Sequence, residues 1–267
     1  MDQRDTPDYP KPPGAGRIGE PREEIERLRL VLHQAQRVVV LTGAGISAES
    51  GVPTFRGADG LWRQYRAVDL ATPQAFARDP RLVWEFYNWR RELLAPLTPN
   101  PGHLALVELE RRVPEFLLIT QNIDGLHHAA GSTNILELHG NIWRVRCTDC
   151  GKVTEDRSVP LPALPTCGTC GGLLRPDVVW FGEMLDRLIL AKAYEALSSC
   201  QALLVIGTSG NVEPAASMGL HAKSQGAVVA EINLEPTPQT DAYDISLLGK
   251  AGVILPQLID RPGSTGS

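Results

Sequence analysis

The chain has 267 residues, 43% of them apolar, with 26 basic residues set against 31 acidic ones for a net charge of −5. That length and apolar content can bury one substantial core, and dispersed charge with a slight acidic excess argues against a surface built for polyanions. No apolar run reaches the roughly 18 residues needed to cross a bilayer, and the opening MDQRDTPDYPKPPGAGRIG lacks the apolar centre of a secretory signal, so the expected compartment is cytoplasmic and no membrane partner is expected.

Residues 1–20 are rich in Pro, Gly and charge and cannot bury enough surface to offset the entropy of ordering; a tail is expected there, with the folded unit at 21–260. From Pro21 onward, Ile25, Leu28, Leu32 and Ala35 fall on one helical face, and Glu23 and Glu24 lie in the first turn, where the helix dipole favours them. The run RVVVLT, Arg37 to Thr42, is apolar and β-branched, as in a strand buried on both faces, and it stops at Gly43-Ala44-Gly45. Residues 57–103 read as a helical, aromatic insertion holding Trp62, Phe76, Trp84, Phe86, Tyr87 and Trp89. Buried strands recur at FLLIT (116–120), ALLVIGT (202–208) and AVVAEIN (227–233), each preceded by a plausible helix. Strands alternating with helices predict an α/β fold. Its Rossmann-like parallel sheet would be built from about 21–56, 104–142 and 176–260, interrupted by the helical insertion and by a small module at about 143–175. Such sheets bind ligands at the carboxyl ends of their strands, which here read TGAG, TQNID, GTS and INLE.

Four of the five cysteines lie in the small module as Cys147-x-x-Cys150 and Cys167-x-x-Cys170, each pair followed by glycine. This is zinc-ribbon spacing, in which four thiolates close a tetrahedral site. Four protein ligands leave no open coordination position, so one structural Zn2+ is expected and no catalytic metal. The loop between the pairs holds only Lys152 and Arg157 as cations, too few for the phosphate contacts of nucleic-acid binding. Cys200 reads as a small buried hydrophobe.

Gly43-Ala44-Gly45-Ile46-Ser47-Ala48 leaves a strand and enters a helix as G-x-G-x-x-A, which lets glycine backbone approach a pyrophosphate beside helix-terminal N–H groups. The acidic residue expected on a ribose about 20 residues later has no counterpart, so an ordinary dinucleotide fold is an incomplete reading. The continuation GAGISAESGVPTFR (43–56), with TQNIDGLHHAAG (120–131), LELHG (136–140), GTSGNVEPAA (207–216) and INLEPT (232–237), resembles the sirtuin family over about residues 24–258. The resemblance implies an enzyme that uses NAD as co-substrate to remove acyl groups from protein lysines bound as extended peptides, releasing nicotinamide and O-acyl-ADP-ribose.

By the same resemblance His139 is the general base for a ribose hydroxyl, Asn122 orders the ribose and a water, and Asp124 with the Ile123 backbone grips the nicotinamide carboxamide. Phe55 would shield the reacting centre, Arg56 would act near the phosphates and Gln121 would contact the ribose. The remaining NAD contacts would fall to Gly43, Ala44, Gly45, Ser47, Trp62, Gly207, Thr208, Ser209, Asn233, Leu234, Glu235 and Ala251. Val179, Trp180, Phe181 and Gly182, in PDVVWFGE, would line the cleft and supply main-chain hydrogen bonds to the peptide. His127 and His128 follow the NID turn and are less suited to catalysis, while His33, His103 and His221 read as structural.

Tyr87 and Arg90 are three apart and share one helix face in WEFYNWRREL. Their spacing matches the Tyr-x-x-Arg of the class III sirtuin branch, which removes succinyl, malonyl and glutaryl groups, and DLATPQAF nearby is similar to that branch as well. A planar Arg fork and a phenol can hold a carboxylate, and Ala71 would leave room for it. Arg91 points elsewhere on such a helix. The expected activity is therefore desuccinylation and demalonylation with some deacetylation; a broad deacetylase without acidic preference and a non-catalytic NAD or ADP-ribose sensor are the alternatives.

Overall fold

The computed structural model describes residues 21–53, 61–62 and 65–259. In chain order its elements are α1 (Pro21–Gln34), β1 (Arg37–Thr42), a 3-10 helix (Ala44–Ser50), β2 (Leu61–Trp62), β3 (Tyr65–Arg66), α2 (Ala67–Leu70), α3 (Pro73–Arg78) and α4 (Pro80–Leu94). There follow α5 (Pro101–Arg112), β4 (Glu115–Thr120), α6 (Leu126–Ala130), β5 (Ile135–Glu137), β6 (Gly140–Cys147), β7 (Val153–Glu155) and β8 (Leu174–Val178). The chain continues through α7 (Arg187–Ser199), β9 (Ala202–Ile206), α8 (Ala215–Ser224), β10 (Val228–Asn233), β11 (Ile245–Leu248) and α9 (Ala251–Ile259). Among the described residues, no helix is long and apolar enough to cross a membrane.

The main sheet is parallel, in the order β11-β10-β9-β1-β4-β5. The apolar run of β1 is explained by its place at the centre: Val38 and Val40 enter a core with Leu28, Leu106 and Ile254, while Val39 and Leu41 enter another with Leu197, Leu203 and Met218. A strand buried on both faces favours apolar side chains throughout, and the one polar residue buried in β1, Thr42, is bonded to Thr120 and His127. Strand order reverses around β1, since the chain first builds outward through β4 and β5 and then returns to add β9, β10 and β11 on the other side. The crevice at the carboxyl ends of β1 and β9 is thus the switch point at which such sheets bind ligands.

The second body is a three-stranded antiparallel sheet, β7-β6-β8, that carries the four clustered cysteines. It shares one core with the helical insertion: Phe76, Val83, Trp84, Phe86 and Tyr87 pack with Ile142, Trp143, Val145 and Trp180. One face of α4 bonds directly to this sheet and the loops around it. Trp84 Nε1 donates to Leu174 O at 2.8 Å, Asn88 Nδ2 to Leu161 O at 2.8 Å, and Arg91 to Ile142 O at 2.6 Å. Arg91 also donates to the carbonyls of Asp156 and Ser158 and stacks on Trp143. Helical spacing of four and three residues puts positions 84, 88 and 91 on one stripe, leaving positions 83, 87 and 90 on the next.

The helix expected after the glycine-rich turn is a 3-10 helix, closed at Gly51 with φ of 94°. The helical insertion and the zinc module, expected together as a small domain beside the parallel sheet, share a common core.

Candidate active site

The carboxyl ends of four strands meet because glycines let them. Gly43 N–H donates to Ile206 O at 2.9 Å and Gly45 N–H to Gly207 O at 2.8 Å. A Cβ on Gly45 would stand 2.6 Å from Gly207 Cα, and one on Gly43 would stand 2.8 Å from Gly207 O, so a side chain at either position would displace the turn. Gly207 itself has φ of 60°, in the left-handed region.

Polar side chains tie the neighbouring strand ends to this turn. Asn122 Nδ2 donates to Gly43 O at 3.0 Å and to Ser47 Oγ at 3.2 Å, and Gln121 Nε2 donates to Thr208 Oγ1 at 3.1 Å. Asn233 Nδ2 donates to Thr208 O at 2.7 Å, with Leu234 N–H returning to Asn233 Oδ1 at 3.0 Å. Ala44, Gln121, Asn122, Ile123 and Ser209 are half-buried around the crevice, while Leu234 and Glu235 are exposed at its rim. Ala251 lies in the core at the start of α9, and the next N–H, of Gly252, donates to Glu49 at 2.8 Å. Phe55 and Arg56 lie outside the described residues; Trp62 lies in β2, and its side chain is outside them too.

His139 follows β5 and precedes Gly140, whose φ is 78° and whose Cβ, if present, would meet Asp177 O at 2.2 Å. The close approach of β8 to that glycine fixes where the histidine stands. Its Nδ1 lies 2.9 Å from Gln121 O. A carbonyl only accepts, so Nδ1 carries the proton and Nε2 is the nitrogen left to take one. Burial lowers the imidazole pKa below its ordinary value, with the Gln121 carbonyl pulling in the opposite direction, so the ring is neutral at neutral pH.

Asp124 is buried, and burial raises its carboxyl pKa. Leu126 N–H, donating at 2.8 Å, the Ser47 hydroxyl and Arg90 hold it back toward the charged form. The Asp124 carbonyl accepts from Trp143 Nε1 at 2.7 Å. Behind Ser47 stands a polar layer that sequence reading left as structural. His103 Nδ1 accepts from Asn100 N–H at 3.3 Å and its Nε2 lies 3.4 Å from Ser47 Oγ; its ring sits 4.8 Å from His127, which contacts Thr42 Oγ1 at 3.0 Å. The Asn100-Pro101-Gly102-His103 capping box is the signal that would have found it. His221, on the far side of the sheet, bonds to Ser198 at 2.9 Å.

The second wall is built by α4 and the segment after β8. Tyr87 is buried, accepts from Trp180 Nε1 at 2.9 Å, and is pushed up to about 12 by burial, which keeps its hydroxyl protonated. Arg90 is half-buried beside it, its guanidinium 5.8 Å from the centre of the Phe86 ring; burial lowers its pKa, offset by attraction to Tyr87 and Asp124. In 179–182 the N–H groups are largely engaged: Val179 donates to His139 O at 2.9 Å, Trp180 to Glu183 Oε2 at 2.8 Å and Phe181 to Ala71 O at 2.9 Å. Half-buried Ala71 thus anchors the segment, the Trp180 carbonyl accepts from Glu183 N–H at 2.9 Å, and Gly182, exposed with φ of 87°, closes it.

The cysteine cluster fits a metal. All four Sγ atoms lie within 4.8 Å of one another, with Cys147–Cys170 at 3.4 Å and Cys150–Cys167 at 3.8 Å. A tetrahedron with Zn–S bonds of about 2.3 Å has S···S edges of about 3.8 Å. The two knuckles match: Gly151 N–H returns to Cys147 O and Gly171 N–H to Cys167 O, both glycines with positive φ. Four thiolates suit one structural zinc, which would hold the ends of β6 and β8 together.

Residues 43–214 match the Sir2 family model. An NAD-dependent protein deacylase of Aquifex aeolicus is 53% identical over 84% of this chain and 94% of its own. The mitochondrial NAD-dependent protein deacylase sirtuin-5 of Canis lupus familiaris is 45% identical over 94% of this chain and 89% of its own. Among solved structures, a Sir2 homolog–NAD complex superposes with a TM-score of 0.84 at 49% identity, covering 88% of this chain and 92% of that one. With its parallel sheet, its glycine-built crevice and its four-cysteine module, the chain belongs to the Sir2 family.

Proposed function

We propose that this protein is an NAD-dependent protein-lysine deacylase that prefers succinyl and malonyl groups and retains some deacetylase activity. The observation that carries the reading is the continuous set of contacts that joins both halves of the chemistry: the carbonyl of His139, whose Nε2 is available as a base, accepts from Val179 N–H, and the next residue, Trp180, donates to Tyr87, which with Arg90 would form a carboxylate clamp. NAD would supply an electrophilic ribose carbon from which nicotinamide departs. Gly43, Gly45, Gly207, Thr208 and Asn233 would hold the adenosine and phosphate part, and Asn122 the ribose. Asp124 would accept from the carboxamide N–H groups while Ile123 offers its backbone N–H.

His139 Nε2 would take the proton of a ribose hydroxyl, with the Gln121 carbonyl steadying the imidazolium charge that results. The peptide would lie extended along 179–182, bonding to the carbonyls and to Gly182, and its lysine would run between the two bodies. At the acyl end Arg90 and the neutral Tyr87 hydroxyl would bind a carboxylate, two charge-assisted hydrogen bonds in a poorly solvated place. An acetyl group ends in a methyl and brings no carboxylate to either donor, so it gains neither of these bonds. The dog relative is named a deacylase, without an acyl group specified. Metal-binding thiolates require reduced cysteines, which supports a cytoplasmic compartment.

Comparing turnover of one peptide in acetyl- and succinyl-lysine forms, with NAD and with His139→Tyr as control, tests the proposal. Faster turnover of the succinyl form, lost in the variant, is expected. Undiminished turnover by His139→Tyr removes the base, and a preference for acetyl removes the clamp.

A further inference from the structure

We propose that Arg175 and Trp180 are positioning residues that aim the Tyr87 hydroxyl at the carboxylate of an acidic acyl group; this rests on the acidic-acyl reading above. Trp180 Nε1 donates to Tyr87 Oη at 2.9 Å. An indole nitrogen is a donor only, so the phenol oxygen is the acceptor in this pair and its own proton turns away from Trp180, toward whatever acceptor shares the pocket. The phenol keeps that proton at neutral pH, because burial pushes Tyr87 up to about 12.

The indole is itself held in place. The Arg175 guanidinium lies over its ring, 3.5 Å from the centroid, and Phe76 packs at 5.1 Å with an interplanar angle of 43°. Arg175 is fixed by a two-pronged ion pair to Glu183, at 2.6 and 2.9 Å, and by a bond to Val178 O at 2.9 Å. Glu183 in turn accepts the Trp180 backbone N–H at 2.8 Å. Three residues therefore close a loop: the carboxylate that holds Arg175 also holds the backbone of the ring Arg175 covers. A stiff indole presents its N–H in one direction and keeps the phenol proton in the other. An acetyl group ends in a methyl and brings no carboxylate to that proton, so the effect belongs to acidic acyl groups alone.

The test uses the full chain and one peptide bearing either acyl group, reading the succinyl-to-acetyl ratio of kcat/KM so that losses common to both cancel. Trp180→Phe keeps a ring beneath Arg175 and removes the N–H. The ratio is expected to fall on the order of tenfold, in KM more than in kcat, and to fall no further when Trp180→Phe is added to Tyr87→Phe. Arg175→Lys, which keeps the charge opposite Glu183 and loses the planar stack, should lower the ratio in the same direction, again only while Tyr87 is present. Equal falls with and without the Tyr87 hydroxyl overturn the proposal, since the indole would then act on the pocket without the phenol. An unchanged ratio in Tyr87→Phe alone overturns the acidic-acyl reading instead, so the two failures are told apart.

Discussion

Replacing Arg90 with Met keeps the apolar length of the side chain and deletes its planar cation. In the folded chain this guanidinium is half-buried on α4, beside a phenol that stays neutral to about pH 12, so a carboxylate seated there meets donors and little water. Hydrogen bonds to charged groups contribute about 1.5–3 kcal/mol each. At about 1.4 kcal/mol per factor of ten, Arg90→Met should lower the succinyl-to-acetyl ratio of kcat/KM by about 10- to 150-fold. The assay is steady-state release of nicotinamide from matched peptides at saturating NAD. Arg91→Met is the contrasting variant: it frees the carbonyls of Ile142, Asp156 and Ser158 and should cost stability while leaving the ratio alone. Equal loss on both acyl groups in Arg90→Met would refute the clamp.

Gly45→Ala puts a methyl group 2.6 Å from Gly207 Cα and should cost about 1–3 kcal/mol of stability together with much of the NAD affinity, read by thermal unfolding and calorimetry. Chelation should release β6 from β8, and with them the Val179–His139 bond and the Arg91 anchors of α4; unfolding temperature and turnover should fall together and return with added zinc. The base form of His139 is needed, and burial lowers its pKa, so kcat/KM should be flat through neutral pH and fall only on acidification below the ordinary imidazole value of about 6.5. An acid limb at or above that value would contradict the buried, Nδ1-protonated ring.

How much of this was legible depends on how local the cause is. The four long strands of the parallel sheet declare themselves through apolar runs, because both of their faces are buried; in β10 the run is broken by Glu231, whose buried carboxylate accepts from the hydroxyls of Thr237 and Thr240. β5 and β11 span only three and four residues, too short to show a period, and neither was read as a strand. Cys147, Cys150, Cys167 and Cys170 are legible because a metal demands a ligand spacing. Arg90 and Arg91 differ by one position, and helical geometry alone sends one beside Tyr87 and the other into carbonyls of the zinc module. By contrast, the capture of the Trp180 and Phe181 N–H groups by Glu183 and Ala71 depends on how loops fold back. So does the polar layer of Ser47, His103, His127 and Thr42, whose members are up to 85 residues apart in contact pairs.

The most direct measurement is a competition: equal amounts of the succinyl- and acetyl-lysine forms of one peptide in a single reaction with NAD, followed by mass spectrometry of the nucleotide products. One nicotinamide per freed lysine, with O-succinyl-ADP-ribose in excess over O-acetyl-ADP-ribose, is the predicted result. An excess of the acetyl product, or free succinate released without nicotinamide, would contradict it.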